Sequence, residues 1–169
     1  MPLSPGDKIH FGGHDWIVLD KQQDAALLIA KDIMERRYYH HEGHAREERL
    51  DQKVTWDESD LRKYLNGAFY NRFNEADKAN IITVTNKNLG SPYTHDNIFI
   101  LSLDEFEVYY PSKRRVKYGG KYSAFWLRSP GHCDYHAVYV NANGCVKPGG
   151  DRFNRIYGVR PALWLKSQG

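Results

Sequence analysis

The last third of the chain places two apolar blocks on either side of a polar stretch, and this arrangement constrains the fold most. The blocks are residues 125–131 (FWLRSPG) and 158–165 (GVRPALWL). Their aromatic and aliphatic residues favour strands, and their glycines and prolines are typical of turns. Residues 132–157 between them contain ten His, Asp, Asn, Lys and Arg residues, most of them near the two ends of the segment. We therefore expect the two blocks to be scaffold and the segment between them to carry the function.

Two clusters within this segment are candidates for a binding surface. The first cluster consists of His132, Cys133, Asp134, Tyr135 and His136, the second of Arg152, Phe153, Asn154, Arg155, Ile156 and Tyr157, and further candidates are Asn141, Asn143 and Cys145. Tyrosine and arginine are enriched at binding hot spots. An exposed Phe or Ile side chain costs solubility unless a partner covers it, so we expect Phe153 and Ile156 to face a ligand.

Length and composition predict a single domain, residues 1–169, with one hydrophobic core. The net charge of +3 is small, so we expect no nucleic-acid partner and interpret basic runs such as residues 113–115 (KRR) as solvated surface. The sequence contains neither a secretory signal nor an apolar run of about 20 residues. We expect a protein that is cytoplasmic as synthesised and not inserted in a membrane, with phage association as one alternative for its final location.

Apolar runs predict strands at residues 15–20, 25–30, 80–85, 97–101 and 137–140. The first two are separated by a short polar connection, which favours an antiparallel hairpin. The pattern of strands near both ends with helices between them, without regular alternation, predicts an α+β fold.

Two capping boxes predict the two main helices. Thr55 with Glu58 begins one, and Ser102 with Glu105 begins the other. Asn74 is expected to cap a shorter helix. Helical spacing gives the first helix an apolar face, formed by Leu61, Tyr64, Leu65, Ala68 and Phe69.

The dipeptide Asn143-Gly144 is typical of a two-residue hairpin turn. It would join the strand at 137–140 to a return strand at 145–147, which residues 148–150 (PGG) are expected to end. Residues 35–53, by contrast, are charged, rich in histidine and without periodicity. They predict a mobile surface loop, because their histidines do not have the HExxH spacing of a zinc site.

Five blocks that together cover nearly the whole chain resemble a bacterial domain family of unassigned function. They are residues 15–20 (DWIVLD), 56–66 (WDESDLRKYLN), 98–102 (IFILS), 126–131 (WLRSPG) and 158–163 (GVRPAL). Members of this family look like C-type-lectin-like folds of the branch shared with formylglycine-generating enzymes. The resemblance implies antiparallel strands, two main helices and long loops.

Some members of the family resemble the variable proteins of diversity-generating retroelements. In those systems, mutagenesis directed to adenines rewrites chosen codons, typically Asn codons, at the 3′ end of a target gene. The fold then displays the resulting side chains as a binding site. Mutation of the adenines of an Asn codon cannot produce Lys, Gln, Glu, Met or Trp. Both clusters contain only residue types that such mutation can reach, whereas the flanking blocks contain Trp126 and Trp164.

The resemblance therefore implies a non-enzymatic ligand-binding module. Residues 132–157 would be its variable binding segment, and residues 1–131 and 158–169 would be its scaffold. The ligand would be a macromolecule, with a protein as the first expectation. No cofactor, metal or enzymatic activity is expected.

Three other interpretations remain open from the sequence. The clusters could be ordinary loops of a structural or interaction domain. The side chains of His132, Cys133, Asp134, His136 and Cys145 could bind a metal, since they supply suitable ligand types. A copper-dependent oxidase of the formylglycine-generating type would need a cysteine pair, for which Cys133 and Cys145 are the only candidates, and neither lies in that enzyme's motif. A calcium-dependent sugar site is not indicated, because no Glu-Pro-Asn or Gln-Pro-Asp motif occurs.

Overall fold

Two five-stranded sheets make up most of the fold, and short helices connect their strands. The structure is a computed structural model that describes residues 2–41, 53–112 and 114–167. Most strand pairs are antiparallel, so the fold has the α+β class that the sequence predicts.

The strands are β1 (Lys8–Phe11), β2 (His14–Gln22), β3 (Ala25–Ala30), β4 (Glu35–Tyr38), β5 (Ile81–Ile82), β6 (Val84–Asn86), β7 (Thr94–Asp96), β8 (Lys117–Tyr118), β9 (Lys121–Tyr122), β10 (Phe125–Pro130), β11 (His136–Val140), β12 (Val146–Arg152), β13 (Ile156–Val159) and β14 (Ala162–Lys166). The helices are α1 (Asp60–Tyr64), α2 (Glu75–Asn80) and α3 (Leu103–Tyr109).

The first sheet has the strand order β1-β2-β3-β14-β5. Its β2 and β3 form the predicted antiparallel hairpin, with Trp16 opposite Ala30. Residues 26–30 of β3 are all buried, because β3 lies between two neighbouring strands and carries apolar side chains on both faces.

The second sheet has the strand order β12-β11-β10-β13-β4. Four of its five strands come from residues 125–159, so the polar segment is part of a sheet. β10 lies at the centre, and β13 runs parallel to it with Phe125 opposite Gly158. The block 158–165 supplies the end of β13 and most of β14, and it therefore links the two sheets.

After Thr55 the chain first forms a 3₁₀-helical turn over Trp56–Glu58, and the predicted α-helix begins only at Asp60. The Thr55 hydroxyl donates to the Asp57 carboxylate and makes no cap. The buried Ser59 caps α1, since its hydroxyl accepts from the Arg62 amide over 3.1 Å. The chain then continues as a π-helical turn over Leu65–Phe69. On the predicted apolar face, the buried residues are Leu61, Leu65 and Phe69, whereas Ala68 is exposed.

The other two predicted helix starts are confirmed. The Asn74 side chain accepts from the Asp77 amide over 2.7 Å and caps α2. Ser102 and Glu105 form a complete capping box at the start of α3. The strand predicted at residues 80–85 is divided between β5 in the first sheet and β6, which pairs with β7.

A fully buried carboxylate, Asp96, holds α1 against the β6–β7 hairpin. It accepts hydrogen bonds from Trp56 Nε1 at 3.0 Å, Arg62 Nε at 2.6 Å, Asn86 Nδ2 at 2.8 Å and Thr94 Oγ1 at 2.7 Å. Burial alone would raise the pKa of the Asp96 carboxyl, but these hydrogen bonds outweigh it and hold the pKa below its usual range. Asp96 is therefore an ionised anchor of the scaffold.

The prediction of a loop over residues 35–53 is wrong for the first part of that range. Residues 35–38 form β4, which pairs with β13. Tyr39, which follows β4, is buried, and its hydroxyl donates to the Arg128 carbonyl over 3.0 Å. The charged sequence of β4 has no apolar alternation, because the strand lies at the edge of its sheet. Residues 42–52 of the predicted loop lie outside the described residues.

Two further strand predictions need correction. Residues 97–101 are largely buried but form no strand. Phe99 makes an isolated bridge to Ala162 of β14, and the Leu101 carbonyl accepts from the Arg128 amide of β10 over 2.9 Å. Residues 148–150 do not end the return strand. β12 runs on through them to Arg152, and a register shift in its pairing with β11 accommodates the extra residues.

The core contains three fully buried tryptophans, Trp16, Trp56 and Trp126. It also encloses the arginines of the two apolar blocks. Arg128 Nη1 donates to the Ile100 carbonyl over 3.0 Å, and Arg160 Nε donates to the Ala30 carbonyl over 2.8 Å. Both arginines are thus structural. No helix within the described ranges is long and apolar enough to cross a membrane.

Candidate functional site

The first cluster forms a turn that is held to the sheet through its backbone. The His132 amide donates to the Gly149 carbonyl over 3.0 Å, and the His136 amide donates to the Cys133 carbonyl over 3.0 Å. Gly131 is required just before this turn, because a Cβ there would lie 2.5 Å from the Gly149 carbonyl oxygen. The side chains of His132, Cys133 and Asp134 are exposed.

The second cluster forms a turn between β12 and β13. The Arg155 amide donates to the Arg152 carbonyl over 3.0 Å and closes this turn. Arg152, Asn154, Arg155 and Ile156 are exposed, and Ile156 is 45% accessible. Their backbone is thus fixed while their side chains face outward.

The structure brings the two clusters together. His136 lies opposite Arg152 in the β11–β12 pair, and the Phe153 amide donates to the Tyr135 carbonyl over 2.9 Å. The two turns therefore lie side by side at one end of the second sheet. Seven of their side chains form an exposed surface, which we call the outer face: His132, Cys133, Asp134, Arg152, Asn154, Arg155 and Ile156.

Phe153 does not face a ligand, contrary to the sequence-based expectation. Its side chain is only 4% exposed and makes an edge contact with the His40 ring at a centroid distance of 5.3 Å. Its carbonyl accepts from the amides of Tyr39 and His40. The segment that follows β4 covers Phe153. The sequence gives no sign of this contact, because its pattern predicts a surface loop there. Phe153 is therefore a core anchor beneath the outer face.

Tyr157 is also partly built into the scaffold. Its ring stacks on Tyr139 at a centroid distance of 4.7 Å and lies 4.8 Å from Trp126. Its hydroxyl donates to Asp151 over 2.6 Å. Burial, together with this hydrogen bond, raises the pKa of the Tyr157 hydroxyl well above its ordinary value. Tyr135 is likewise half-buried and packs against the core.

The further candidates lie elsewhere. Asn141, Asn143 and Cys145 occupy the tip of the β11–β12 hairpin, at the opposite end of β11 from the first cluster. The hairpin is confirmed, but its turn is longer than the predicted two residues. The Gly144 amide donates to the Asn141 carbonyl, and Gly144 has φ of 81°. The Asn141 side chain accepts from the amides of Asn143 at 3.0 Å and Cys145 at 2.9 Å, so Asn141 has a structural role.

Residues that the sequence did not suggest extend the outer face. A cleft of about 570 Å³ lies between β4 and α1, and Ile156 contributes to its wall. Arg36 Nη2 donates to the Ile156 carbonyl over 3.1 Å, and Tyr38 is 38% exposed opposite Ile156 in the strand pair. No local pattern indicates β4, so these residues could be found only from the fold.

Three side chains that contact one another, Glu35, Arg37 and Tyr64, form one wall of this cleft. The Arg37 guanidinium lies over the Tyr64 ring, 3.3 Å from its centroid, and Arg37 Nε donates to Glu35 over 3.1 Å. The Tyr64 hydroxyl donates to the other oxygen of Glu35. Burial, and then the hydrogen bond to Glu35, raise the pKa of Tyr64. A cation, an anion and an aromatic ring thus fix one another beside the cleft, which suits a preformed binding surface.

The donors considered for a metal site do not converge. Within residues 2–41, 53–112 and 114–167, no three His, Cys, Asp or Glu side chains are arranged to hold a metal ion. Cys133 and Cys145 are exposed free thiols at opposite ends of β11. The five residues of that strand alone separate them by about 13 Å, which is too far for a disulfide or a shared copper ion.

Residues 23–167 match the model of a family described as a domain of unknown function, DUF6273. No curated protein matches the chain, and no solved structure matches it. The match covers both clusters and both apolar blocks.

Proposed function

The chain belongs to the DUF6273 family, a domain of unknown function, and we propose from its own residues that it is a non-enzymatic ligand-binding module. In this proposal the fold is of the C-type-lectin-like class, and the protein is a variable protein of a diversity-generating retroelement. The outer face displays the diversified side chains, and its ligand is a macromolecule, in the first instance a protein.

One observation carries the proposal: both clusters are fixed through backbone atoms while most of their side chains face outward. The bonds from His132 to Gly149 and from Phe153 to Tyr135 use main-chain groups that every residue except proline possesses. The side chains of the outer face can therefore be replaced without loss of the bonds that position them. A site that must tolerate many sequences requires this separation between backbone support and side-chain display.

The chemistry of the outer face also suits recognition of a protein. Arg152 and Arg155 offer planar, multi-donor groups, and Asn154 can both donate and accept hydrogen bonds. Ile156 and Tyr38 add exposed apolar area beside the cleft. Aromatic and arginine side chains of this kind commonly supply most of the energy of protein interfaces.

Phe153 and Asn141 refine the proposal, because they lie in the segment 132–157 but have structural roles. The diversified positions would be those of the outer face, together with Asn143 and Cys145 at the hairpin tip. Phe153 and Asn141 would instead be fixed, like the buried residues of the flanking strands.

Sequencing the DNA that follows the gene tests this proposal. We expect a reverse transcriptase and a near-identical template repeat in which adenines account for the differences. The differences should fall in the codons of the outer face, whereas the template codon at Phe153 should encode an apolar residue. Absence of a template repeat, or differences concentrated in codons for buried residues, would refute the assignment to a retroelement.

A further inference from the structure

The positive charge of the chain is concentrated between Lys113 and Arg128, in a region that the proposed function does not use. Between Glu107 and Asp134 the sequence contains six Lys and Arg residues and no Asp or Glu. The rest of the chain, with 18 Lys and Arg residues against 21 Asp and Glu residues, has a net charge of −3. The small overall charge of +3 therefore hides a strongly polarised distribution.

The structure shows which of these cations are committed to the scaffold. Arg128 is buried and paired with Glu105, and Arg114 Nε donates to the Tyr110 carbonyl while its Nη2 pairs with Glu107. Neither arginine is available to a partner. The remaining described cations are Arg115, Lys117 and Lys121, which are all exposed.

These three cations lie on or beside the β8–β9 hairpin, which we call the basic ribbon (residues 115–122). Within the part of the chain that the structure describes, none of them forms an ion pair with a carboxylate. The ribbon turns at Gly119 and Gly120, which have φ of 58° and 83° and open space around their Cα atoms. A large anion can therefore approach its backbone closely.

Each face of the basic ribbon combines a tyrosine with a lysine. Lys117 lies opposite Tyr122, and Tyr118 lies opposite Lys121, and cross-strand partners share a face. The two tyrosines are 40% and 47% exposed, and among the described residues their hairpin pairs with no other strand. On the first face, the Arg115 guanidinium lies 4.5 Å and the Lys117 ammonium 5.5 Å from the Tyr122 ring centroid.

We propose that the basic ribbon binds single-stranded nucleic acid. Its exposed cations would neutralise backbone phosphates, while Tyr122, Tyr118 and the Arg115 plane would stack on unpaired bases. The lysines favour a nucleic acid over an acidic protein, because lysine is depleted at protein interfaces. The exposed rings favour a single strand over a duplex, whose bases are already stacked on one another. The proposal revises the expectation from net charge alone, and it is independent of the outer face.

The ribbon is fixed to the scaffold at its base, so binding would not require it to fold. The Ile33 amide donates to the Lys117 carbonyl over 3.0 Å, and the Ser123 amide donates to the Val116 carbonyl over 3.0 Å. Val116 is 6% exposed and anchors the start of the ribbon in the core. Substitutions at the exposed side chains should therefore leave the fold intact.

Fluorescence anisotropy with a labelled oligothymidylate of about 15 nucleotides tests the proposal on the full chain. In about 50 mM salt, the combined variant Arg115→Gln, Lys117→Gln and Lys121→Gln should bind at least about tenfold more weakly. The control variant Lys8→Gln, Lys63→Gln and Lys87→Gln removes the same charge at exposed sites elsewhere and should change affinity by less than about twofold. Three phosphate contacts predict a slope of about −2 for log K against log salt concentration.

A second variant separates stacking from charge. Tyr122→Leu should weaken oligothymidylate binding about fivefold or more, whereas Tyr122→Phe should retain it. Equal losses from the control variant, or no effect of Tyr122→Leu, would overturn the proposal. Competition by oligoglutamate as effective as that by oligothymidylate would also overturn it and assign the ribbon to acidic proteins. Urea unfolding of each variant confirms that the fold is unchanged.

Discussion

The Phe153 amide donates to the Tyr135 carbonyl over 2.9 Å, and this bond ties the second cluster to the first. The Phe153 side chain points away from the surface into the core and is 4% exposed. Neighbouring residues of one polar stretch therefore have opposite roles. Phe153 holds the two turns in place, and the residues around it form the outer face.

This division predicts different costs for two hydrophobic residues of the same cluster. Phe153→Ala should lower the free energy of unfolding by about 3–5 kcal/mol, because it removes a buried ring and leaves a cavity. Ile156→Ala should lower it by no more than about 0.5 kcal/mol, because Ile156 is 45% exposed. Urea unfolding monitored by tryptophan fluorescence measures both. Similar costs for the two variants would contradict the assignment of Phe153 to the core.

A second prediction separates two asparagines at the hairpin tip. Asn141→Ala should cost about 1 kcal/mol of stability, because the side chain accepts from the amides of Asn143 and Cys145. Asn143→Ala is the matched control and should change stability by less than about 0.5 kcal/mol, since Asn143 is exposed. Thermal unfolding of both variants measures these costs. Equal losses of stability in the two variants would contradict the structural role of Asn141.

Asp96 predicts acid sensitivity of the scaffold. Its pKa is lower in the folded than in the unfolded chain, so the stability it contributes is full above an unfolded pKa of about 3.9 and is lost as the pH falls through the folded pKa. Asp96→Asn should cost about 3 kcal/mol at pH 7 and flatten the loss of stability in acid, because the four donors then face an uncharged amide. The exposed Asp24→Asn is the control. Urea unfolding between pH 7 and pH 3 measures both effects, and an unchanged acid limb in Asp96→Asn would contradict the role of the carboxylate.

The Tyr157 hydroxyl should make the stability of the fold depend on pH in the alkaline range. Its folded pKa is raised, so its contribution is full below an unfolded pKa of about 10 and is lost as the pH rises through the folded value. Tyr157→Phe removes the bond to Asp151 and should cost about 1 kcal/mol at pH 7. The variant should also lose less stability than the native chain between pH 9 and pH 11. Tyr93→Phe, at a side chain that is 63% exposed, should have neither effect.

Local patterns predicted the parts of the fold that local contacts determine. Asn74 and the Ser102–Glu105 box cap their helices because a cap needs only neighbouring residues. The Thr55 box failed because the Thr55 hydroxyl does not bond to a helix amide. The Thr55 hydroxyl bonds to Asp57, and the cap of α1 is Ser59, whose hydroxyl accepts from the Arg62 amide.

The parts of the fold that the sequence did not predict depend on contacts between residues far apart in the chain. β4 pairs with β13, from which it is separated by more than 100 residues, and its charged side chains gave no sign of a strand. Because β4 was missed, the burial of Phe153 beneath residues 39–40 and the cleft beside α1 could not be foreseen. Seven side chains of the two clusters are exposed, because polar residues between apolar blocks are seldom buried, and their role in binding stays a prediction.

The most direct test of the division between the scaffold and the outer face is one thermal unfolding measurement. A variant in which all seven residues of the outer face are replaced by Ser keeps the backbone bonds at His132 and Phe153. It should unfold within about 4 °C of the native chain, which corresponds to about 1–2 kcal/mol for a domain of this size. A fall as large as that caused by Phe153→Ala would show that these side chains hold the fold together, and it would contradict the account.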